Sequence, residues 1–223
     1  SAPALADAME LFRPYAEAGR EIVCFSISAG MSTSGNVMRL AAEELGASDR
    51  IKVIDSANLP TGIGLLVIEA AIMAKNNRTA SQIVSEIEKL KPNVRASFVV
   101  DTLTYLYRGG RCNAVAAMAG GILKLHPRIV VENGAMNASK KYRGKIDSVI
   151  MDYVKDMEKD LKNARPERVF ITHSGCKQET VEKVRAYLEE LGVFDEILET
   201  RAGGVISSHC GPGTLGVLYI AKS

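Results

Sequence analysis

The sequence predicts a two-domain α/β protein, with a parallel-sheet α/β domain at the N-terminal side and an α+β domain with a mixed or antiparallel sheet after it. Three observations predict this. Through the first half, short β-rich runs alternate with apolar residues at helical spacing, which calls for parallel strands joined by right-handed helical crossovers. In the second half, two extended runs flank Asn133-Gly134, the strongest short-range hairpin signal. The 223 residues, 47% apolar and 24% charged, suffice for one large domain or two small ones.

In order along the chain, "SAPALADAMELF" enters a helical pattern almost at once. The runs at 21 to 27 (EIVCFSI), 51 to 55 (IKVID) and 94 to 101 (VRASFVVD) are expected to be strands of one parallel sheet. Val37, Leu40, Ala41 and Leu45 fall on one helical stripe between the first two, and Ile83, Val84, Ile87 and Leu90 on another between the second two. Pro127 punctuates a boundary near residues 124 to 127, giving domains 1–124 and 125–223, the first expected to lack its first strand. The hairpin at 128 to 142 is followed by a helix with Ile146, Val149, Ile150, Tyr153, Val154, Met157 and Leu161 on one stripe. Strand "RVFIT", a helix carrying Val181, Val184, Leu188 and Leu191, strand "EILET" and a final "GVISS…LGVLYIA" complete the reading. No low-complexity linker separates the halves, so they are expected to pack together.

Bulk properties exclude several classes. A net charge of +2 is too slight for a dedicated nucleic-acid binder. Cys24, Cys112, Cys176 and Cys210 form no C-x-x-C pair and read as reduced thiols of a cytoplasmic protein. No uninterrupted apolar stretch reaches the roughly 18 residues of a membrane span, so stable membrane insertion is not expected.

Four stretches carry candidate chemistry. "CFSISAGMSTSGN" leaves the carboxyl end of a predicted parallel strand and enters a helix, where ligands sit in open α/β sheets. Free N–H groups of the helix start, with the hydroxyls of Ser32, Thr33 and Ser34, suit a carboxylate or phosphate. A plain N-cap needs only one hydroxyl, and the surplus favours binding. "YRGGRCN" sets Arg111 beside two glycines, as an anion clamp or as a tight turn with a solvated arginine. "SSHCGPGTLG" places His209 in a glycine- and proline-rich turn between two β-like runs, where it could donate to an anion or be a plain surface histidine. His126 and His173 read as structural. In "SKKYRGK", Lys141, Arg143 and Lys145 share one side of an extended segment, as an electropositive lip or a solvated edge. The alternative reading is a serine esterase or thioesterase using Ser28 or Ser32 with His209, oriented by an acid such as Asp55. The missing glycine at Ser26 and the competing hydroxyls weigh against it.

Taken together, "SAGMSTSGNVM", "VDTLTYLYRGGRC", "HPRIVVENGAM…KYRGK" and "HCGPGTLG" resemble, in consistent order, the motifs of the DegV family of bacterial fatty-acid-binding proteins. The resemblance implies a long-chain fatty acid buried in a tunnel between the two domains. Its carboxylate would be held by residues matching Ser32, Arg111 and His209, and Arg143 falls on the arginine of the family's K-x-R-G motif. Small apolar residues in "AVAAMAGGIL" and "TGIGLLVIEAA" are candidate tunnel lining. The family resembles a substrate-carrying subunit of phospholipid metabolism that presents the acid to a separate fatty acid kinase, so the chain is expected to be non-catalytic and to need no metal or other cofactor. Thr33, Ser34 and Gly35 depart from the family's usual residues. Family members also begin with a further strand ending in T-S-x-P, so the chain is expected to be truncated.

Overall fold

In the computed structural model, which describes residues 2–110 and 125–222, the two short β-rich runs of the first half lie side by side. β1 (Ile22–Ser26) pairs in parallel with β2 (Ile51–Asp55), from Ile22 opposite Ile51 to Ser26 opposite Asp55. They belong to the first of two compact units, Ser1–Pro92. α1 (Leu5–Glu17) precedes β1, α2 (Ser34–Glu44) is the crossover, and α3 (Thr61–Lys75) and α4 (Ala80–Leu90) follow β2. Successive β1 side chains point to opposite faces. Ile22 and Cys24 join a cluster with Phe12 of α1 and Ala41 and Ala42 of α2. Val23 and Phe25 instead line a cleft with Ala70 and Ala74 of α3 and Ile83 of α4. Helices thus cover both faces, as buried parallel strands require.

Two local devices sharpen this unit. Thr79 Oγ1 accepts the Gln82 N–H at 3.3 Å while Gln82 Oε1 accepts the Thr79 N–H at 3.0 Å, a reciprocal cap that starts α4. On α2 the buried stripe is narrower than the sequence suggests. Ala41 and Ala42 are fully covered, whereas Leu40 is 49% exposed, because two alanines let α1 approach closely on that side alone.

The second unit, Asn93–Ser223, is built on a mixed six-stranded sheet. Its elements are β3 (Val94–Val99), α5 (Thr104–Gly109), β4 (Leu125–Glu132), β5 (Ala135–Arg143), α6 (Ile146–Asp156), α7 (Glu158–Lys162), β6 (Ala164–Ser174), α8 (Gln178–Leu191), β7 (Glu196–Arg201), α9 (Gly204–Cys210) and β8 (Thr214–Ala221). The spatial order is β5-β4-β3-β8-β6-β7. Only β6 and β7 are parallel, joined through α8; every other pair is antiparallel. Asn133 and Gly134 both take left-handed φ, 51° and 76°, and close the β4–β5 hairpin where expected.

Here the sequence reading of the third strand is corrected. β3 is not a parallel partner of β2; it lies between β4 and β8, antiparallel to both. Ala96 and Ser97 are both buried though they point to opposite faces, so the run suits the middle of any sheet. Periodicity reports that burial and carries no information on partner or direction. Residues 125 to 127, part of the stretch read as a domain boundary, belong to β4.

The stripe read as one long helix is divided between α6 and α7 by a turn at Met157, yet its side chains pack as their spacing implies. Val149, Ile150, Tyr153, Val154, Met157 and Leu161 are buried in one core with Val181, Val184 and Leu188 of α8 and Val217 and Tyr219 of β8. The Tyr153 hydroxyl donates to the Ser97 carbonyl at 2.8 Å and accepts the Val217 N–H at 3.0 Å. One phenol therefore sits between β3 and β8 and satisfies a backbone group on each. Burial raises its pKa, which keeps it protonated for both bonds.

Candidate functional site

At the carboxyl ends of β1 and β2 two loops are stitched together. Ser28 N–H donates to the Asn58 carbonyl at 3.0 Å, and Ser56 N–H to the Ser26 carbonyl at 3.2 Å. The Asp55 carboxylate accepts the Ala29 N–H at 3.3 Å and the Ala57 N–H at 2.9 Å. Ala57 takes φ of 51°, a left-handed conformation that this bond helps to hold. Asn58 Oδ1 accepts the Leu59 N–H at 3.0 Å, and a Cβ on Gly62 would stand only 2.0 Å from that oxygen. Asp55 and Asn58 escaped the sequence reading as site-shaping residues; the only local sign was a polar cluster directly after a strand.

The loop then delivers Ser32, Thr33 and Ser34 to the start of α2, bringing these three predicted residues together. Ser32 N–H donates to the Ser28 carbonyl at 3.1 Å, closing a turn. Ser32 Oγ accepts the Ser34 N–H at 3.2 Å and lies 2.8 Å from Ser34 Oγ. The plain capping function is therefore met by one hydroxyl. The exposed Thr33 hydroxyl has no partner among the described residues, and neither do the N–H groups of Gly35 and Asn36. Gly35 is fitted by close approach, since a Cβ there would come within 2.8 Å of Ser26 Oγ. Ser26 Oγ is itself buried without a hydrogen-bond partner among the described residues.

These contacts bear on the esterase alternative. Ser28 is 1% exposed, and its hydroxyl accepts the Gly30 N–H at 3.2 Å. The hydrogen bonds of Asp55 go to the amides of Ala29 and Ala57, so its carboxylate serves the loop backbone. A nucleophile needs access and an oriented base.

In the second unit, His209 occupies the last turn of α9, not an irregular turn between strands as the sequence suggested. Gly204 to Cys210 lack strand periodicity, and the glycine-rich residues after them end the helix. α9 packs on α5, and the two glycines of "YRGGRCN" have separate tasks. Gly109 makes room for the imidazole, because a Cβ there would stand 2.3 Å from His209 Nδ1. Gly110 adopts φ of 64° and ends α5 in a left-handed cap. The Tyr105 ring lies against Gly211, and Gly213 N–H donates to the Ser174 carbonyl at 2.8 Å, tying the loop to β6. His209 is half-buried on this platform and makes no hydrogen bond to a described residue. Arg111 and the "AVAAMAGGIL" stretch lie outside the described residues.

Arg143 closes β5, exposed on an edge strand. Its neighbour Gly144 is anchored by His126, whose Nε2 lies 3.0 Å from the Gly144 carbonyl and Nδ1 3.2 Å from the Val100 carbonyl. The histidine read as structural thus clamps the K-x-R-G turn to the end of β3. Lys140 pairs with Asp156, while Lys141 and Arg143 remain exposed, as an edge strand favours. His173, also read as structural, stands 3.4 Å from Glu199. Burial pushes the thiols of Cys24 up to about 11 and Cys176 up to about 12, so both stay protonated at neutral pH, while Cys112 lies outside the described residues. "TGIGLLVIEAA" falls in α3, with Leu65 and Leu66 fully buried and Val67 42% exposed.

Among the described residues, no cluster of histidine, cysteine or acidic side chains could hold a metal ion, and no helix is long and apolar enough to cross a membrane. A family model described as "Uncharacterised protein, DegV family" matches residues 1–222. A DegV domain-containing protein of Clostridium perfringens is 32% identical over 219 residues, which cover 96% of this chain and 75% of that protein. One from Deinococcus radiodurans is 30% identical, covering 97% and 76%. Among solved structures, a fatty-acid-binding DegV family protein from Thermus thermophilus superposes with a TM-score of 0.89 at 26% identity, covering 100% of this chain and 78% of that one. A stearic acid-binding protein from Eubacterium ventriosum superposes at 0.83 and 27% identity, again covering 100% and 78%.

Proposed function

Since the chain belongs to the DegV family, we propose that it binds a long-chain fatty acid and presents the carboxylate to a separate kinase for acyl-phosphate formation. The observation that carries the ligand class is the start of α2. Free N–H groups and a positive dipole end stand there beside Ser32, Thr33 and Ser34, which is the equipment for a carboxylate. His209, which makes no hydrogen bond to a described residue on its α5–α9 platform, is the second donor, and Arg111 and Arg143 are the charge partners. That one carboxylate is shared by groups of both units rests on the family resemblance. So does the kinase, and with it a carrier that is non-catalytic and uses no cofactor. The fatty acids bound by the Thermus thermophilus and Eubacterium ventriosum proteins support the choice of ligand.

An acyl chain gains about 0.8 kcal/mol per buried CH₂, so the tail supplies affinity and the polar end supplies orientation. Native mass spectrometry of the purified protein tests the reading, with a co-purifying long-chain acid expected and lost on extraction. Absence of lipid, together with covalent labelling of Ser28 or Ser32 by a fluorophosphonate, would overturn it in favour of an esterase.

A further inference from the structure

A second polar cavity lies in the C-terminal unit, against the sheet face that α6 and α7 cover. This cleft of about 360 Å³ is lined by Arg95 of β3, Arg128 and Glu132 of β4, Asp160 of α7, and Tyr219 and Lys222 at the end of β8. Its size is that of a small-ligand pocket. None of these residues belongs to the site described above.

Its inner cation is unusual. The Arg128 guanidinium lies 5.6 Å from the centre of the Tyr153 ring, and its Nε is buried with no hydrogen-bond partner among the described residues. No carboxylate among the described residues pairs with it. Asp156, whose carboxyl feels the Arg128 charge, is hydrogen-bonded by Lys140 and Tyr142. Glu132 and Asp160 line the cleft but are exposed at its rim. Tyr219 is 3% exposed, sits opposite Arg95 across the β3–β8 ladder, and its hydroxyl makes no hydrogen bond to a described residue. Burial pushes that phenol up to about 12, so at neutral pH it remains a donor. Buried donors are ordinarily satisfied, and a guanidinium presents a fork shaped for a carboxylate.

We propose that this cleft is a second ligand site, for a small singly charged organic carboxylate bearing hydroxyl groups, with Arg128 and Tyr219 holding its oxygens. Arg95 and Lys222 add positive charge at the mouth, while Glu132 and Asp160 offset it and accept from the ligand's own donors. Three cations against two carboxylates leave a balance that suits one negative charge. Those rim carboxylates also disfavour polyanions.

The experiment is an isothermal titration of the full chain, pre-loaded with long-chain acid, using lactate and glycerate as probes and inorganic phosphate as comparator. Saturable binding of a probe is expected, weakened at least about tenfold in Arg128→Gln and in Tyr219→Phe and unchanged in Ser32→Ala. Because the Tyr219 hydroxyl has no partner to lose, Tyr219→Phe without probe should melt no lower than the parent. That variant carries the test if Arg128→Gln fails to fold. No saturation up to roughly 100 mM, or equal binding by the Tyr219 variant, overturns the proposal. Loss in Ser32→Ala with retention in Arg128→Gln overturns it too and assigns the probe to the fatty-acid site.

Discussion

Ser32 has two tasks that separate under substitution. Ser32→Ala removes the acceptor for the Ser34 N–H, which should cost about 0.5–1 kcal/mol, read as a small drop in denaturation midpoint. It also removes a hydroxyl donor to the proposed carboxylate. A hydrogen bond to a charged group contributes about 1.5–3 kcal/mol, so fatty-acid affinity should fall on the order of tenfold or more in a fluorescent fatty-acid titration. Gly109 and Gly110 give a paired test on the other platform. Gly109→Ala puts a methyl 2.3 Å from His209 Nδ1, so the ring must move; its proton resonances should shift and affinity should drop. Gly110→Ala, at φ of 64° with open space around it, should cost about 1 kcal/mol and leave the His209 resonances in place. The residue types of the candidate site could be picked out from sequence, since a hydroxyl surplus and a histidine outside any apolar stripe are local features. The task of Gly109 could not be, because its partner stands a hundred residues away.

Elements tell a similar story through their connections. Tyr153 belongs to the α6 stripe that periodicity identifies, yet its hydroxyl serves β3 and β8 at once. Tyr153→Phe keeps the packing and orphans the Val217 N–H, so a loss of about 1–3 kcal/mol is expected in chemical denaturation. Asp147, in the first turn of α6, accepts hydrogen bonds from Lys177 and Thr180 where α8 begins. The Lys177 bond first, then the Thr180 bond, hold its carboxyl below the usual range. The folded form therefore takes up its proton less readily than the unfolded chain. This contribution is complete above about pH 4 and disappears as pH falls through the lowered value. The group is partly solvated, so the effect is small, about 0.5 kcal/mol, and Asp147→Asn should flatten that part of the acid-denaturation profile. The hairpin at Asn133-Gly134 and the α6 and α8 stripes were readable because turn chemistry and helical period are local.

For the whole molecule, ligand binding and stability are linked. A fatty acid at a hundred times its Kd should add about 2.7 kcal/mol, seen as a thermal midpoint several degrees higher. The Ser32→Ala chain at the same acid concentration should gain less. The order of motifs, which led to the family, is a property of the chain alone. So are the strand and helix periods and the turn residues, since neighbours in sequence suffice to set them. Folding chose the rest: β3 joined β4 and β8, Asp55 was spent on loop amides, α9 formed beneath His209, and the Nε of Arg128 was buried with no hydrogen-bond partner among the described residues. An apolar period says which face must be covered and is silent on what covers it. That choice depends on surfaces brought together from distant parts of the chain.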